Sequence, residues 1–243
     1  MKRKIPLVTL ALSIILLFIS FQSNESTFHY SDPKTPDNSE VIKHIEYSLS
    51  YNCKHEQANW ISYKLERQEV LTSRQRTNDF RIDHTIECTS STLSDYKGSG
   101  YDRGHLSPAA DNKETFDAMS ESFLMSNISP MLPQFNRNYW LKLEKQVREW
   151  AIDRDEVYVV VGPILSDNLP TIGNNVSIPK YFYKIVLDPE PLEYVAYLME
   201  NTNKSQDFNN CIVTIDSIET LTGIDFFPES SIEELESIVN EWK

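Results

Sequence analysis

A chain of 243 residues, 40% hydrophobic and 24% charged, is long enough for one sizeable core or two small ones and too apolar to be disordered as a whole. Its 36 acidic residues against 23 basic ones give a formal net charge of −13, which argues against a protein that grips polyanions over its whole surface and confines any such site to a local patch. Three cysteines, Cys53, Cys88 and Cys211, without CxxC or Cys/His spacing, exclude a disulfide-dense mini-protein and a zinc module and allow at most one bridge and one free thiol.

Lys2-Arg3-Lys4 precedes an apolar run from Ile5 to Phe21 broken only by Pro6, Thr9, Ser13 and Ser20, the pattern of an export signal over residues 1–23. The run is near the short limit for crossing a bilayer, about 20 residues, and no Ala-x-Ala site follows it. A cleaved signal and a retained anchor are therefore both open, and the expected location is secreted, periplasmic or N-terminally membrane-anchored. Export would make a Cys53–Cys88 bridge possible. Residues 24–39, polar and without apolar periodicity, read as a flexible tether, and residues 40–243 as a single domain.

Within that domain, Ile45, Tyr47 and Leu49 alternate with polar residues between Ile42 and Tyr51, and Trp60 to Leu65 repeats the period of two, which predicts two β-strands. Asn112 to Phe123 reads as a helix with Asn112 as N-cap and Phe116, Met119 and Phe123 on one face. A second helix after Asn136 carries Trp140, Leu143, Val147, Trp150 and Ala151 on one stripe and ends near Asp153; the two tryptophans read as core. Val157 to Val161, a continuous β-branched and aromatic run closed by Gly162-Pro163, has the character of a buried central strand. Tyr181–Leu187 and Tyr194–Met199 predict two more strands around the turn Asp188-Pro189-Glu190-Pro191. The expected fold class is α+β, a mixed and mainly antiparallel sheet with packed helices.

Chemistry concentrates in one segment. Three of the six glycines fall in Gly98-Ser-Gly100-Tyr-Asp102-Arg103-Gly104-His105, where a carboxylate that can orient an imidazole, a guanidinium that can fork onto phosphate and a base suited to neutral pH lie within four residues. A surface hairpin would explain the glycines but not these neighbours. His29, His44, His55 and His84 have no comparable company and read as surface or structural residues.

Asp102-Arg103-Gly104-His105 with the following Leu-Ser-Pro-Ala-Ala-Asp, the segment Met125 to Pro130, and Gln134-Phe-Asn136-Arg-Asn-Tyr-Trp140-Leu-Lys-Leu-Glu144 together resemble the DNA/RNA non-specific endonucleases with a ββα-metal active site. The resemblance extends through Gly162-Pro163 to Leu221–Pro228 and covers about residues 45 to 230. It implies that His105 is the general base activating water, that Asn136 is the direct protein ligand of one Mg²⁺, with Mn²⁺ as a substitute, and that Glu144 holds the waters of that ion. It also implies that Arg103 and Arg81 bind the substrate phosphate, while Asp102 supports the loop. Eight helical residues turn about 80° away from the starting face, so Asn136 and Glu144 share a side only if Asn136 sits at the frayed start of the helix.

Duller roles exist for several of these residues. Asn136 suits a helix N-cap, Glu144 an i,i+4 pair with Arg148, and Arg81 a pair with Asp79 or Asp83. Asn127 lies in a nominal Asn-Ile-Ser glycosylation sequon, but the resemblance implies a buried amide. Lys97, Arg103, Lys113, Arg137 and Lys142 are expected near the site, a local cationic patch on an acidic body. The function implied is an exported, Mg²⁺-dependent endonuclease that hydrolyses DNA and RNA with little sequence preference and implies no stable protein partner. A nuclease-like binding module without turnover and a metal-dependent phosphodiesterase on small substrates are the alternatives.

Overall fold

The computed structural model describes residues 30–88, 90–190, 192–228 and 242, so the export-signal reading of residues 1–23 lies outside the described residues. The valine-rich run becomes β6, Glu156–Pro163, at the centre of a seven-stranded antiparallel sheet. Its order is β1 (Val41–Lys43), β2 (Ser48–Asn52), β3 (Gln57–Glu66), β6, β9 (Tyr181–Pro189), β10 (Leu192–Glu200) and β11 (Ile212–Val213). In β6 Val157, Val159 and Val161 enter one core and Val160 the other, which is why this strand is apolar without interruption.

The same alternation puts Phe182 and Val186 of β9 in the first core and Tyr183, Ile185 and Leu187 in the second. Against the first face packs α4, Leu141–Arg154, through Leu143, Val147, Trp150 and Ala151. Helix α5, Ile215–Thr222, covers the second through Ile215 and Ile218. Two short hairpins lie outside the sheet: β4 (Asp102–His105) with β5 (Ile128–Met131), and β7 (Thr171–Ile172) with β8 (Val176–Ser177). The other α-helices among the described residues are α1 (Arg67–Leu71), α2 (Leu93–Tyr96) and α3 (Phe116–Glu121).

Three local expectations are corrected. Ile42–Tyr51 is not one strand but the hairpin of β1 and β2, because the chain turns at Ile45, 50% exposed, while the His44 amide bonds the Tyr47 carbonyl. Helix α3 is shorter than expected and is capped by Thr115, whose hydroxyl accepts from the Ala118 amide at 3.0 Å. Asn112 is unavailable as a cap because its amide is buried and donates to the Ser107 hydroxyl and Pro108 carbonyl, both at 2.8 Å. Residues 30–39, the latter part of the expected tether, instead lie on the body: Tyr30 stacks on Tyr158 at 4.7 Å, and the backbones of Lys34 and Asp225 bridge. Cys53 and Cys88 form a disulfide, leaving Cys211 free.

Candidate active site

Strand β4 is the Asp102-Arg103-Gly104-His105 segment itself, and its pairing with β5 sets His105 opposite Ile128 and Gly104 opposite Ser129. Gly104 is required by this contact, since a Cβ there would run into the Met131 side chain. Beyond His105 the chain is clamped by the fully buried Asn127, whose amide accepts from the Ser107 N–H and donates to the Ser107 and Ser122 carbonyls at 2.7–2.8 Å. Such burial leaves no room for a glycan on this sequon.

His105 is 8% exposed, and its Nε2 is buried with no hydrogen-bond partner among the described residues. Phe80 and Phe123 flank the imidazole at 5.4 and 4.9 Å between ring centroids. Each of these rings also carries an arginine: the Arg103 guanidinium lies 4.1 Å from the Phe80 centroid and that of Arg76 lies 4.8 Å from Phe123. Neither arginine makes an ion pair among the described residues, so both charges are held in place by aromatic faces and left available to an anion. Burial, with the charges of Arg76 and Arg103 added, pushes the His105 pKa down to about 3 and keeps the ring neutral.

The next wall comes from a π-helical segment, Phe135–Trp140, that runs directly into α4. Its i to i+5 turn rotates the chain by roughly 80° per residue instead of the 100° of an α-helix. This difference absorbs the mismatch expected between Asn136 and Glu144, and both side chains reach one cavity. Asn136 Nδ2 donates to Asp102 Oδ2 at 3.0 Å, which leaves its Oδ1 for another partner. Arg137 forks onto the same carboxylate at 2.6 and 2.8 Å. Burial alone would raise the Asp102 pKa, but the hydrogen bonds from Arg137 and Asn136 outweigh it and hold the carboxyl below its ordinary value.

Glu144 makes no hydrogen bond or ion pair within the described residues. Arg148, expected as its i,i+4 partner, turns instead to Asp111 at 2.7 Å, whose other oxygen accepts from Tyr63 at 3.0 Å. Burial raises the Glu144 carboxyl to about 7, against the opposing pull of Lys184. Lys184 projects from β9 into the first core, fully buried, its Nζ without a hydrogen-bond partner among the described residues and 4.9 Å from the Trp140 ring centroid; burial brings it down to about 8.

A cavity of about 290 Å³ thus gathers Arg76, Arg103, His105, Asn136, Glu144 and Arg148. Arg76 escaped the sequence reading, and Arg148 entered it only as a partner of Glu144. Asp102 stands behind Asn136 and lines the adjoining cavity. Arg81 lines neither; its guanidinium donates to Asp79 at 3.1 Å and to the Ser120 carbonyl at 2.8 Å. Of the expected basic patch, Lys97, Arg103 and Arg137 line the two cavities, whereas Lys113 donates to the Val70 carbonyl and Lys142 lines neither. A separate acidic cluster, Glu46, Glu69 and Glu114, brings carboxylate oxygens within 4.8 Å of one another but contributes to neither cavity.

The family model of the DNA/RNA non-specific endonucleases matches residues 24–231. The chain belongs to that family. The endonuclease is 36% identical over 211 residues to a nuclease of Nostoc sp., covering 81% of this chain and 76% of the relative. It is also 31% identical to nuclease C1 of Cunninghamella echinulata over 88% of this chain and 92% of the relative. Human mitochondrial endonuclease G is 30% identical over 75% of this chain and 67% of that protein. Among solved structures, one of an EndoG/EndoGI complex superposes with a TM-score of 0.76 at 29% identity, covering 84% of this chain and 91% of that one. The expected α+β fold with mainly antiparallel pairing holds, and the chain is a nuclease, a phosphodiester hydrolase.

Proposed function

We propose that this endonuclease is exported and cuts DNA and RNA with little sequence preference, in a reaction that needs Mg²⁺ and uses His105 as general base. The observation that carries the reading is a neutral, buried imidazole whose Nε2 has no partner among the described residues, set between two cations that make no ion pair there. In the tautomer that carries the ring proton on Nδ1, Nε2 is suited to take the proton of an attacking water, since no hydrogen bond to it must first be displaced. Arg76 and Arg103 would bind the phosphate and stabilise the negative charge that grows on it, from positions fixed before substrate arrives.

The donor set fits a hard cation. Asp102 engages the amide nitrogen of Asn136, so the oxygen is the atom left for an ion, and Glu144 supplies a carboxylate in the same cavity for waters around it. When bound, the ion neutralises charge on the phosphate and on the leaving oxygen. Asp102 and Arg137 would hold the Asn136 amide in its working orientation. Lys97, Arg103 and Arg137 line the cavities, while exposed cations elsewhere, Lys43, Lys54, Lys64 and Arg67, are paired with acids, which supports contact with phosphates at the cavities and not with base edges. The Cys53–Cys88 bridge supports an oxidising location, hence export.

Plasmid DNA and a structured RNA, incubated with the protein in Mg²⁺ or in chelator, test this directly. Cleavage of both in Mg²⁺, none in chelator, and no cleavage by a folded His105→Ala protein are expected. Unchanged cleavage by that variant overturns the assignment of the base.

A further inference from the structure

Beside the catalytic cavity lies a larger one of about 490 Å³, and the two share Arg103, Asn136 and Arg137. Its outer wall plays no part in the chemistry described above. Leu93 and Tyr96 come from α2, and Lys97 and Tyr101 from the turn that follows it. Leu93 is apolar yet 46% exposed, a placement that core packing does not explain. Gly98 and Gly100, at φ +71° and +85°, shape the turn so that Lys97 and Tyr101 face the same space.

This wall is built firmly. The Ser99 amide and hydroxyl both donate to the Tyr96 carbonyl, at 3.2 and 2.9 Å, and the hydroxyl accepts from the Tyr101 amide at 3.1 Å. Helix α2 is fixed at its start by a capping box between Thr92 and Asp95, and Asp95 also accepts from the Asn174 amide at 2.8 Å. Lys97 makes no ion pair among the described residues. The one acid of the wall, Asp102, is covered by Arg137 and Asn136 and does not repel an anion.

A pocket with an apolar and aromatic wall on one side, Lys97 and Arg103 at its rim without ion pairs among the described residues, and a phosphate-cutting site next to it matches a nucleotide: a base for the wall and a phosphate for the rim. The volume lies within the ~300–1,000 Å³ of small-ligand pockets. A base paired and stacked inside a duplex would present only its backbone here and leave the apolar wall unused.

We propose that this cavity receives one unstacked nucleotide next to the phosphate being cut, its base against Leu93 and Tyr101 and its phosphate at Lys97, so that the enzyme binds single-stranded or locally unpaired nucleic acid more tightly than intact duplex. The inference rests on the nuclease reading of the adjoining cavity. An extruded base in a duplex first loses its pairing and stacking, and this cost is absent in a single strand.

The test is equilibrium binding by fluorescence anisotropy, in chelator so that nothing is cut. The ligands are a labelled single-stranded oligonucleotide, its duplex, and an abasic deoxyribose-phosphate strand of the same length and charge. Leu93→Ser changes a half-exposed side chain and leaves the core alone; Tyr101→Leu removes the ring but keeps apolar bulk. Each is expected to weaken binding of the base-bearing single strand by about tenfold and to leave the duplex and the abasic strand within about twofold. Wild-type protein is expected to prefer the base-bearing strand over the abasic one. Equal weakening of all three ligands, no weakening of any, or a wild-type preference for duplex overturns the proposal. Mg²⁺-dependent cleavage of plasmid by the wild-type protein is followed in parallel: its absence defeats the nuclease reading, while binding in chelator still decides the cavity.

Discussion

Two histidines with buried side chains, His44 and His105, have opposite surroundings. His44 is surrounded by acids: its Nε2 lies 3.1 Å from Asp83, its Nδ1 lies 3.8 Å from Glu121, and Asp83 is bound in turn by Ser126 and Thr85. Burial opposes ionisation of Asp83, yet these contacts, His44 first among them, hold its carboxyl far below the ordinary value. His105 is surrounded by arginines and aromatic rings, and one of its nitrogens has no partner. The first arrangement spends the imidazole on holding the β1–β2 turn to the segment before α2. The second leaves Nε2 without a partner among the described residues, as the proposed role of general base requires. Side-chain identity is the same, and the neighbours decide the role.

The largest test of that contrast is to remove each ring. His105→Ala is expected to lower turnover by roughly 10²-fold or more per folded molecule while the protein still folds. Asn136→Ala should be at least as severe, whereas Glu144→Ala should cost about 10 to 100-fold and be partly restored by raised Mg²⁺. His44→Ala should behave in the reverse sense, losing about 2 to 4 kcal/mol of stability in urea denaturation because Asp83 loses a buried partner, with turnover per folded molecule kept. A folded His44→Ala protein as inactive as His105→Ala would break the comparison.

Acidity sharpens it. Glu144 ionises near pH 7 in the metal-free protein, so its carboxylate forms as pH rises through that value, and activity should rise over the same interval. A cation favours the ionised form, so more Mg²⁺ should move this limb to lower pH. His105, at about 3, is already neutral there and contributes no limb of its own. It leaves a mark on stability instead. The unfolded chain protonates this ring near pH 6.5 and the folded one does so only near 3, so the unfolded state binds more protons between those values and acidification destabilises the fold. His105→Gln should lose less stability between pH 7 and 5 than the wild-type protein, as read from denaturation curves at the two pH values. The smallest effect expected is a several-fold fall in turnover for Phe80→Leu, which removes the aromatic face beneath Arg103 but not the apolar bulk.

What could be read in advance depended on whether a residue's role was written in its neighbours along the chain. The valine run of β6 and the stripe of α4 carry their periods openly, and Asp102 to His105 concentrates its chemistry within four residues. The π segment at Phe135–Trp140 has no such mark, so the alignment of Asn136 with Glu144 came only with the structure. Arg76 lies in a stretch without periodicity beside Arg74 and Arg81, and nothing local chooses among the three; the fold brings Arg76 to His105 and leaves Arg81 with Asp79. Lys184 did leave a trace. Counting by two along β9 puts it on the face of Phe182 and Val186, and a cation at an interior position calls for a partner. Asn112 misled as a cap because its side chain was already committed inward.

The disulfide between Cys53 and Cys88 closes a covalent ring that takes in one arginine of this site and the aromatic ring beneath another. Arg76 and Phe80 lie inside it, in a stretch after α1 that has little regular structure to order it. Closing a ring of this size lowers the conformational entropy of the unfolded chain by an amount equivalent to about 4 kcal/mol on a loop-entropy account. The bridge is therefore a thermodynamic support for a segment that cannot organise itself through backbone hydrogen bonding. Opening it with a reductant would enlarge the ensemble of that segment first, and the loss would be felt as wandering of Arg76 and Phe80 before the central sheet lost any of its order.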